Sequence, residues 1–420
     1  MVGAKGVLGI DFGTGGTRAF AIDESGRVIA SAQRPSSVIR TERGYLEQNM
    51  AQSAGAGVEA IKTLLEQPAV RETQIVALGT SGWMHGDVLM GNNVAAAGLD
   101  LWPIANASMW NCGRSLPQYE DIMKSPHLQR LFIESTGNAP AVRFTVLKAL
   151  HRKFETPDLW GAARHVVTPK DWWNYFLTGT LLQEKSDMIG AVNVAGNGYA
   201  QGVLEALQLE NKFADLIDPT DQVGTLRREI AESTGLPEGL PVFGGGGDQR
   251  CAQIGNGITE PGLVGWNLGT SGVTVAYTAE RKSDPTGVIH FFGDWLMACC
   301  MASGGSFDWL SDQINFGRES KVSFDNLAVF ASKVNPGAEG VRFLPWLSGI
   351  NHPLKEPNAT GMFIGLKPNT TLPQQIRAVM EGVAVEMVLC AEKMKGFGIP
   401  MEKAVLAGGG ARDKTGTWPQ

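Results

Sequence analysis

Short apolar runs punctuated by glycine, rather than long amphipathic stretches, open the chain. Val7 to Ile10 and Ala19 to Ile22 read as two β-strands around a glycine-rich turn, the pattern of a β-hairpin. The pattern returns late in the chain, with Leu263 to Trp266 and Val273 to Tyr277 flanking Gly269, Thr270, Ser271 and Gly272. The segments GIDFGTGGTRAFAID and GWNLGTSGVTVAYTA align so that Gly9, Gly13, Thr14 and Gly16 fall on Gly265, Gly269, Thr270 and Gly272, while Asp11 falls on Asn267. Elsewhere an apolar run, Pro241 to Phe243, enters the glycines Gly244 to Gly247, with a helix expected to start near Gln249. From Ile376 to Lys395 the residues Val379, Met380, Val383, Ala384, Met387 and Val388 recur at helical spacing, which predicts a core helix. A last apolar strand runs into Gly408, Gly409 and Gly410.

With 420 residues the chain is long enough for two or more sizeable cores. Its 53 glycines stand well above the usual share of about 7%, so backbone is required to turn tightly or approach something closely. A net charge of −6 and scattered basic residues argue against nucleic-acid binding. The apolar run at the N-terminus is too short for a signal-peptide core, and no run of eighteen apolar residues occurs, so no membrane partner and a cytoplasmic location are expected. Cys112, Cys251, Cys299, Cys300 and Cys390 lack metal-site or redox spacing and are expected to be reduced, packed thiols.

The repeated hairpin carries the chemistry. Glycines bring backbone N–H groups within reach of an anion and a Thr hydroxyl adds a donor, so two such turns are suited to clamp a polyphosphate. One carboxylate, Asp11, suffices to position a magnesium ion, and a second would repel the same oxygens, which rationalises Asn267 in the other copy. Taken singly, each turn is also ordinary hairpin chemistry. Asp248, after the glycine run, reads equally as a general base or as a helix cap. Arg18 either supports the first turn or decorates an exposed strand, and His85 alone reads as a structural histidine.

Taken together, these segments resemble the actin-like ATPase superfamily, and several others narrow the resemblance to the FGGY carbohydrate kinases. SGWMHGDVL resembles the sugar-site loop of xylulokinases, GYLEQN and PKDWWNYFLTG resemble landmarks of the N-terminal domain, and GGGGDQRCAQIG resembles the loop with the catalytic aspartate. FLPWLSG, GMFIGL, RAVMEGVA and LAGGGAR follow in family order. The resemblance implies two actin-like (ribonuclease H-like) α/β domains with a catalytic cleft between them, here placed at 1–245 and 246–420. It implies Asp248 as base and sugar contact, with Met84, His85, Gly86, Trp110 and Asn111 binding the sugar. It further implies Asp11 for magnesium, Gly13, Thr14, Arg18, Gly269 and Thr270 for phosphates, and Gly408, Gly409 and Gly410 for adenosine, with ATP and Mg2+ as cofactors.

Departures from the family pattern stand at Cys112, where Asp often follows Trp-Asn, at Trp83, where xylulokinases have Gln, and at Gln249 and Arg250. Family chains usually run some tens of residues further than Gln420, so a final strand and helices of the second domain are expected to be missing. The reading is ATP-dependent phosphorylation of a small ketopentose such as xylulose. Gluconate, glycerol or another polyol stays open as acceptor, as does a catalytically weak sugar- or nucleotide-binding relative. The partner is a small-molecule sugar, and a homodimer stays open as the assembly.

Overall fold

The computed structural model describes residues 4–412 apart from 93–97, 279, 281–282, 285, 288, 301, 351, 355 and 357, with the backbone but not the side chain of Cys300. The chain divides into two compact units, Met1–Ala252 and Gln253–Gln420. Both are α/β, and each has its own apolar core.

In the first unit a six-stranded sheet is built from β1 (Ala4–Gly13), β2 (Gly16–Asp23), β3 (Val28–Pro35), β4 (Thr73–Gly82), β5 (Gln222–Thr225) and β6 (Pro241–Gly247), in the order β5-β6-β4-β1-β2-β3. The hairpins β1–β2 and β2–β3 are antiparallel, whereas β4 runs parallel to both β1 and β6. Alternation places Leu8, Ile10 and Phe12 of β1 in the core. Helix α1 (Met50–Leu65), capped by Asn49 accepting the Gln52 N–H, packs on β2 and β3. Further along come α2 (Thr145–Glu155), α3 (Pro169–Thr178) and α4 (Asp248–Gly255). Trp173 of α3 stacks on Phe12 at 5.2 Å between ring centroids, and Gly57 of α1 admits it, since a Cβ there would lie 2.7 Å from the indole. Two helices thereby fix the end of β1 beside Asp11. The expected boundary at 245/246 lies inside β6, so the glycine run is sheet and the division follows it.

The second unit repeats the plan. Strands β7 (Gly262–Leu268), β8 (Gly272–Tyr277), β9 (His290–Phe292), β10 (Trp295–Cys300) and β11 (Met401–Ala407) form a sheet in the order β9-β10-β8-β7-β11. Here β7–β8 is the second hairpin and β11 pairs parallel with β7, as β4 does with β1. Helices α5 (Gly304–Asn315) and α6 (Phe324–Ser332) pack on α7 (Leu372–Lys395), which lies against β8 as α1 lies against β2. A capping box of Thr371 and Gln374 starts α7. Ile376, Val379, Met380, Val383, Met387, Cys390 and Met394 form its buried stripe. Val388 corrects the expected core face: it is 43% exposed and belongs with Val385 and Leu389 to a second apolar stripe. Ala384 is half-buried. From Asp413 onward the tail expected to lead into a helix lies outside the described residues.

Candidate functional site

The two hairpins differ in a way the alignment conceals. In the first, Gly13 pairs with Gly16 across the two-residue turn Thr14–Gly15. In the second, Leu268 pairs with Gly272 across three residues, Gly269, Thr270 and Ser271. Asp11 consequently faces Arg18 across the hairpin, while Asn267 faces Val273, the residue aligned with Thr17. The burial patterns differ as well: Thr17, Ala19 and Ala21 are buried in β2 with Arg18 exposed, whereas Thr274, Val275 and Ala276 are buried in β8 with Val273 half-buried.

Asp11, near the end of β1, lies between Arg18 on β2 and Ser81 on β4, its Cα partners. Burial raises its carboxyl above the ordinary range, opposed by the Ser81 hydroxyl, which donates to Oδ1 at 3.4 Å, and by the charge of Arg18. The Arg18 side chain is exposed, and its guanidinium donates to Gln33 Oε1 at 2.7 Å.

Asp248 follows β6 as the first residue of α4. It accepts the Gln249 N–H at 2.7 Å rather than an N–H two or three residues on, so it does not form the usual helix cap. Burial raises its carboxyl to about 7, the Gln249 N–H opposes the shift, and the nearby charge of Asp11 adds to it. The preceding glycines have packing reasons of their own. At Gly245, φ is +66° and a Cβ would lie 1.6 Å from Thr80 O, while at Gly247 it would strike Met84 Cγ at 2.5 Å. The Gly244 carbonyl accepts from Thr80 Oγ1, Lys170 Nζ and Asn174 Nδ2 at 3.0–3.1 Å.

Residues 83–87 form a loop fixed through its backbone. His85 takes φ +65°, its N–H donates to Asp187 Oδ1 at 3.3 Å, and its carbonyl accepts from Lys148 Nζ at 2.5 Å. The Gly86 carbonyl accepts from Thr145 Oγ1 at 3.0 Å, and Pro169 leaves no room for a Cβ at that position. Asp87 accepts from Ser108 N–H at 2.7 Å and Arg152 Nε at 2.8 Å, which secures the loop to the 106–112 segment. Burial, then the charges of Arg143 and Lys148, hold the imidazole of His85 well below its ordinary pKa, so the ring is neutral. Its Nδ1 is buried without a hydrogen-bond partner. Met84 is buried against Gly247. Trp110 and Asn111 are exposed just beyond Ser108, whereas Cys112 is buried, its Sγ accepting from Arg114 Nε at 3.2 Å.

Sequence reasoning missed Lys148 and Asp187. Lys148 is fully buried, and desolvation lowers it to about 7, opposed chiefly by Asp87. Asp187 is fully buried, and desolvation followed by the charge of Asp171 raises its carboxyl well above the ordinary range. The available signal was a lysine inside the apolar run TVLKAL; nothing local marks Asp187.

In the second unit a cavity of about 420 Å3 is lined by Gly269, Thr270, Gly304, Phe307, Asp308, Phe324, Asp325, Gly409, Gly410 and Arg412, among others. It thus gathers four of the residues expected at the nucleotide. Gly408 lies behind the lining, with φ +85° and no room for a Cβ beside Asn267 Oδ1 and Leu268 O. The first N–H groups of α5 donate to the turn, Gly304 to Gly269 O at 2.8 Å and Gly305 to Thr270 O at 2.9 Å. The peptide N–H groups on the other side of those carbonyls are therefore turned away from α5.

Among the described residues no group of three or more His, Cys, Asp or Glu side chains is placed to hold a metal ion, and no helix is long and apolar enough to cross a membrane. A magnesium ion that arrives on a polyphosphate needs only one or two carboxylates, which Asp11 and its electrostatic neighbour Asp248 fit.

Comparison with known proteins adds to this geometry. The N-terminal domain of the FGGY family of carbohydrate kinases matches residues 6–255, and its C-terminal domain matches residues 265–416. A xylulose kinase of Bacillus subtilis (strain 168) is 29% identical over 425 residues, covering 99% of this chain and 82% of its own. Among solved structures, a xyloylose kinase from Brucella ovis superposes with a TM-score of 0.88 at 26% identity, covering 98% of this chain and 83% of its own. A gluconate kinase from Lactobacillus acidophilus superposes with a TM-score of 0.86 at 21% identity over 98% and 82% of the two chains, a likeness of fold alone.

Proposed function

The chain belongs to the FGGY family of carbohydrate kinases, and on that premise we propose that it transfers the γ-phosphoryl group of ATP to a hydroxyl of a ketopentose, with xylulose as the first candidate. The observation that carries the mechanism is the environment of Asp248, whose carboxyl is held at about 7. A base of that pKa is half ionised near neutrality and still basic enough to draw a proton from an alcohol as the P–O bond forms. The hydroxyl oxygen attacks the γ-phosphorus, its proton passes to Asp248, the bond to the β,γ-bridging oxygen breaks, and ADP leaves.

On this reading the neutral, unpartnered Nδ1 of His85 is left for the sugar, on a loop fixed through its backbone. Trp110 and Asn111, both exposed, offer an apolar wall and a hydrogen-bonding amide to the acceptor. Gly13, Thr14, Gly269 and Thr270 present turn N–H and hydroxyl donors to phosphates, and Gly409 and Gly410 offer bare backbone to adenosine in the 420 Å3 cavity. Gly408 supports that wall from behind, and Arg18 acts through its charge on Asp11. Magnesium, held by Asp11 with water and phosphate oxygens, would neutralise charge on the triphosphate.

Xylulose is favoured by the 29% identity to a xylulose kinase over almost the whole chain. Gluconate, glycerol or another polyol stays as the second reading because Trp83 and Cys112 depart from the family pattern beside the sugar loop. Measuring kcat/KM with ATP for D-xylulose, D-gluconate and glycerol decides between them. Xylulose is expected to lead, and a tenfold preference for either rival overturns the assignment.

A further inference from the structure

One buried side chain connects the first phosphate turn to the loop at 83–87. Gln48, fully buried, donates from Nε2 to the Thr14 carbonyl at 3.0 Å and accepts at Oε1 from the Trp83 indole N–H at 3.1 Å; Trp83 is 1% exposed. Its amide can sit only one way round, because an indole N–H only donates and a carbonyl only accepts. Neither a leucine nor a glutamate at this position could serve both partners.

The grip on Thr14 O has a directional consequence. Across a trans peptide the C=O and the following N–H point in opposite directions. Holding the Thr14 carbonyl toward Gln48 therefore turns the Gly15 N–H outward, and a Cβ built on Gly15 meets no atom within 4 Å. In the second unit the aligned carbonyl is also held, by other means: Thr270 O accepts from the Gly305 N–H at 2.9 Å. A turn carbonyl is thus held in both copies, by a helix N–H in one and by a side-chain amide in the other.

We infer that Gln48 and Trp83 are positioning residues for the phosphates of the nucleotide: Trp83 orients Gln48, and Gln48 aims the Gly15 N–H of the first turn. The inference rests on the reading of that turn as a phosphate site. Trp83 stands where xylulokinases carry Gln, so the departure from the family pattern acquires a task.

The test compares binding of the non-hydrolysable analogue AMP-PNP with that of AMP, in the presence of magnesium, for the full chain and for Gln48→Leu, Trp83→Phe and the double variant. Both single variants are expected to weaken AMP-PNP by about 2- to 10-fold, the worth of one neutral hydrogen bond, and to leave AMP unchanged. The double variant is expected to match Gln48→Leu alone, because Trp83 acts only through Gln48. Equal weakening of both nucleotides, unchanged AMP-PNP binding, or additive losses in the double variant would each overturn the inference. Failure of the unsubstituted chain to prefer AMP-PNP over AMP would instead remove the phosphate reading of the turn, which separates the two failures.

Discussion

At the scale of single residues, Asp248, the proposed base, works against the fold. Its carboxyl stands near 3.8 in the unfolded chain and at about 7 in the folded one. Between those values the folded state binds more protons than the unfolded state, so stability falls as pH rises through the window and the cost is complete above 7. Asp248→Asn should therefore melt higher than the unsubstituted chain at pH 8, with the gap closing toward pH 4, while kcat falls by about 10²- to 10⁴-fold. Melting curves at the two pH values and steady-state rates check both halves; near-normal turnover would remove Asp248 from the chemistry. Asp11→Ala should cost much more magnesium-dependent activity than Asn267→Ala, since only the first copy keeps a carboxylate at that place; equal losses in rate assays would sink the asymmetry. Both aspartates were legible because each ends an apolar run beside glycines. Lys148 and Asp187 were not, because their effect on His85 passes through contacts between residues 63 and 102 positions apart.

At the scale of elements, the sequence carried the hairpins, the strand before Asp248 and the long helix α7, all of which rest on local periodicity and turn residues. It did not carry the use of the glycine run, which in the structure lets β6 close against β4 and Met84. That role depends on a neighbouring strand more than 150 residues away in the chain, as the bond from Thr80 to Gly244 O shows with a separation of 164. Gly57 provides a clean test of such close approaches. Alanine at that position gains up to about 1 kcal/mol of helix propensity but must displace the Trp173 ring, at about 1–3 kcal/mol for overpacking. The net sign is a loss, so Gly57→Ala should lower Tm and, by loosening the stack on Phe12, reduce kcat; an unchanged Tm would show that the indole moves freely.

At the scale of the whole molecule, two sheets of one plan have divided the labour: the first carries both aspartates and the loop at 83–87, the second the cavity lined by Gly269 and Gly409. Substitutions should sort accordingly. Gly409→Val, whose Cβ has room beside Leu268 O at 3.9 Å but whose methyls enter the cavity, should raise KM for ATP by roughly tenfold, about 1.4 kcal/mol, and spare KM for the sugar. His85→Ala should do the reverse, and parallel changes in both constants would contradict the division. The duplication was legible from two aligned segments, but the one-residue difference between their turns was not, because both turns satisfy the same glycine pattern. That difference ties each turn to the strand that follows it. A crossover that joined β1 and its two-residue turn to β8 would preserve every aligned glycine, yet it would rotate Val273, Val275 and Tyr277 into the places of Thr17, Ala19 and Ala21 beneath α1. A chimera of the two repeats is therefore expected to pack only where the turn travels with its own second strand.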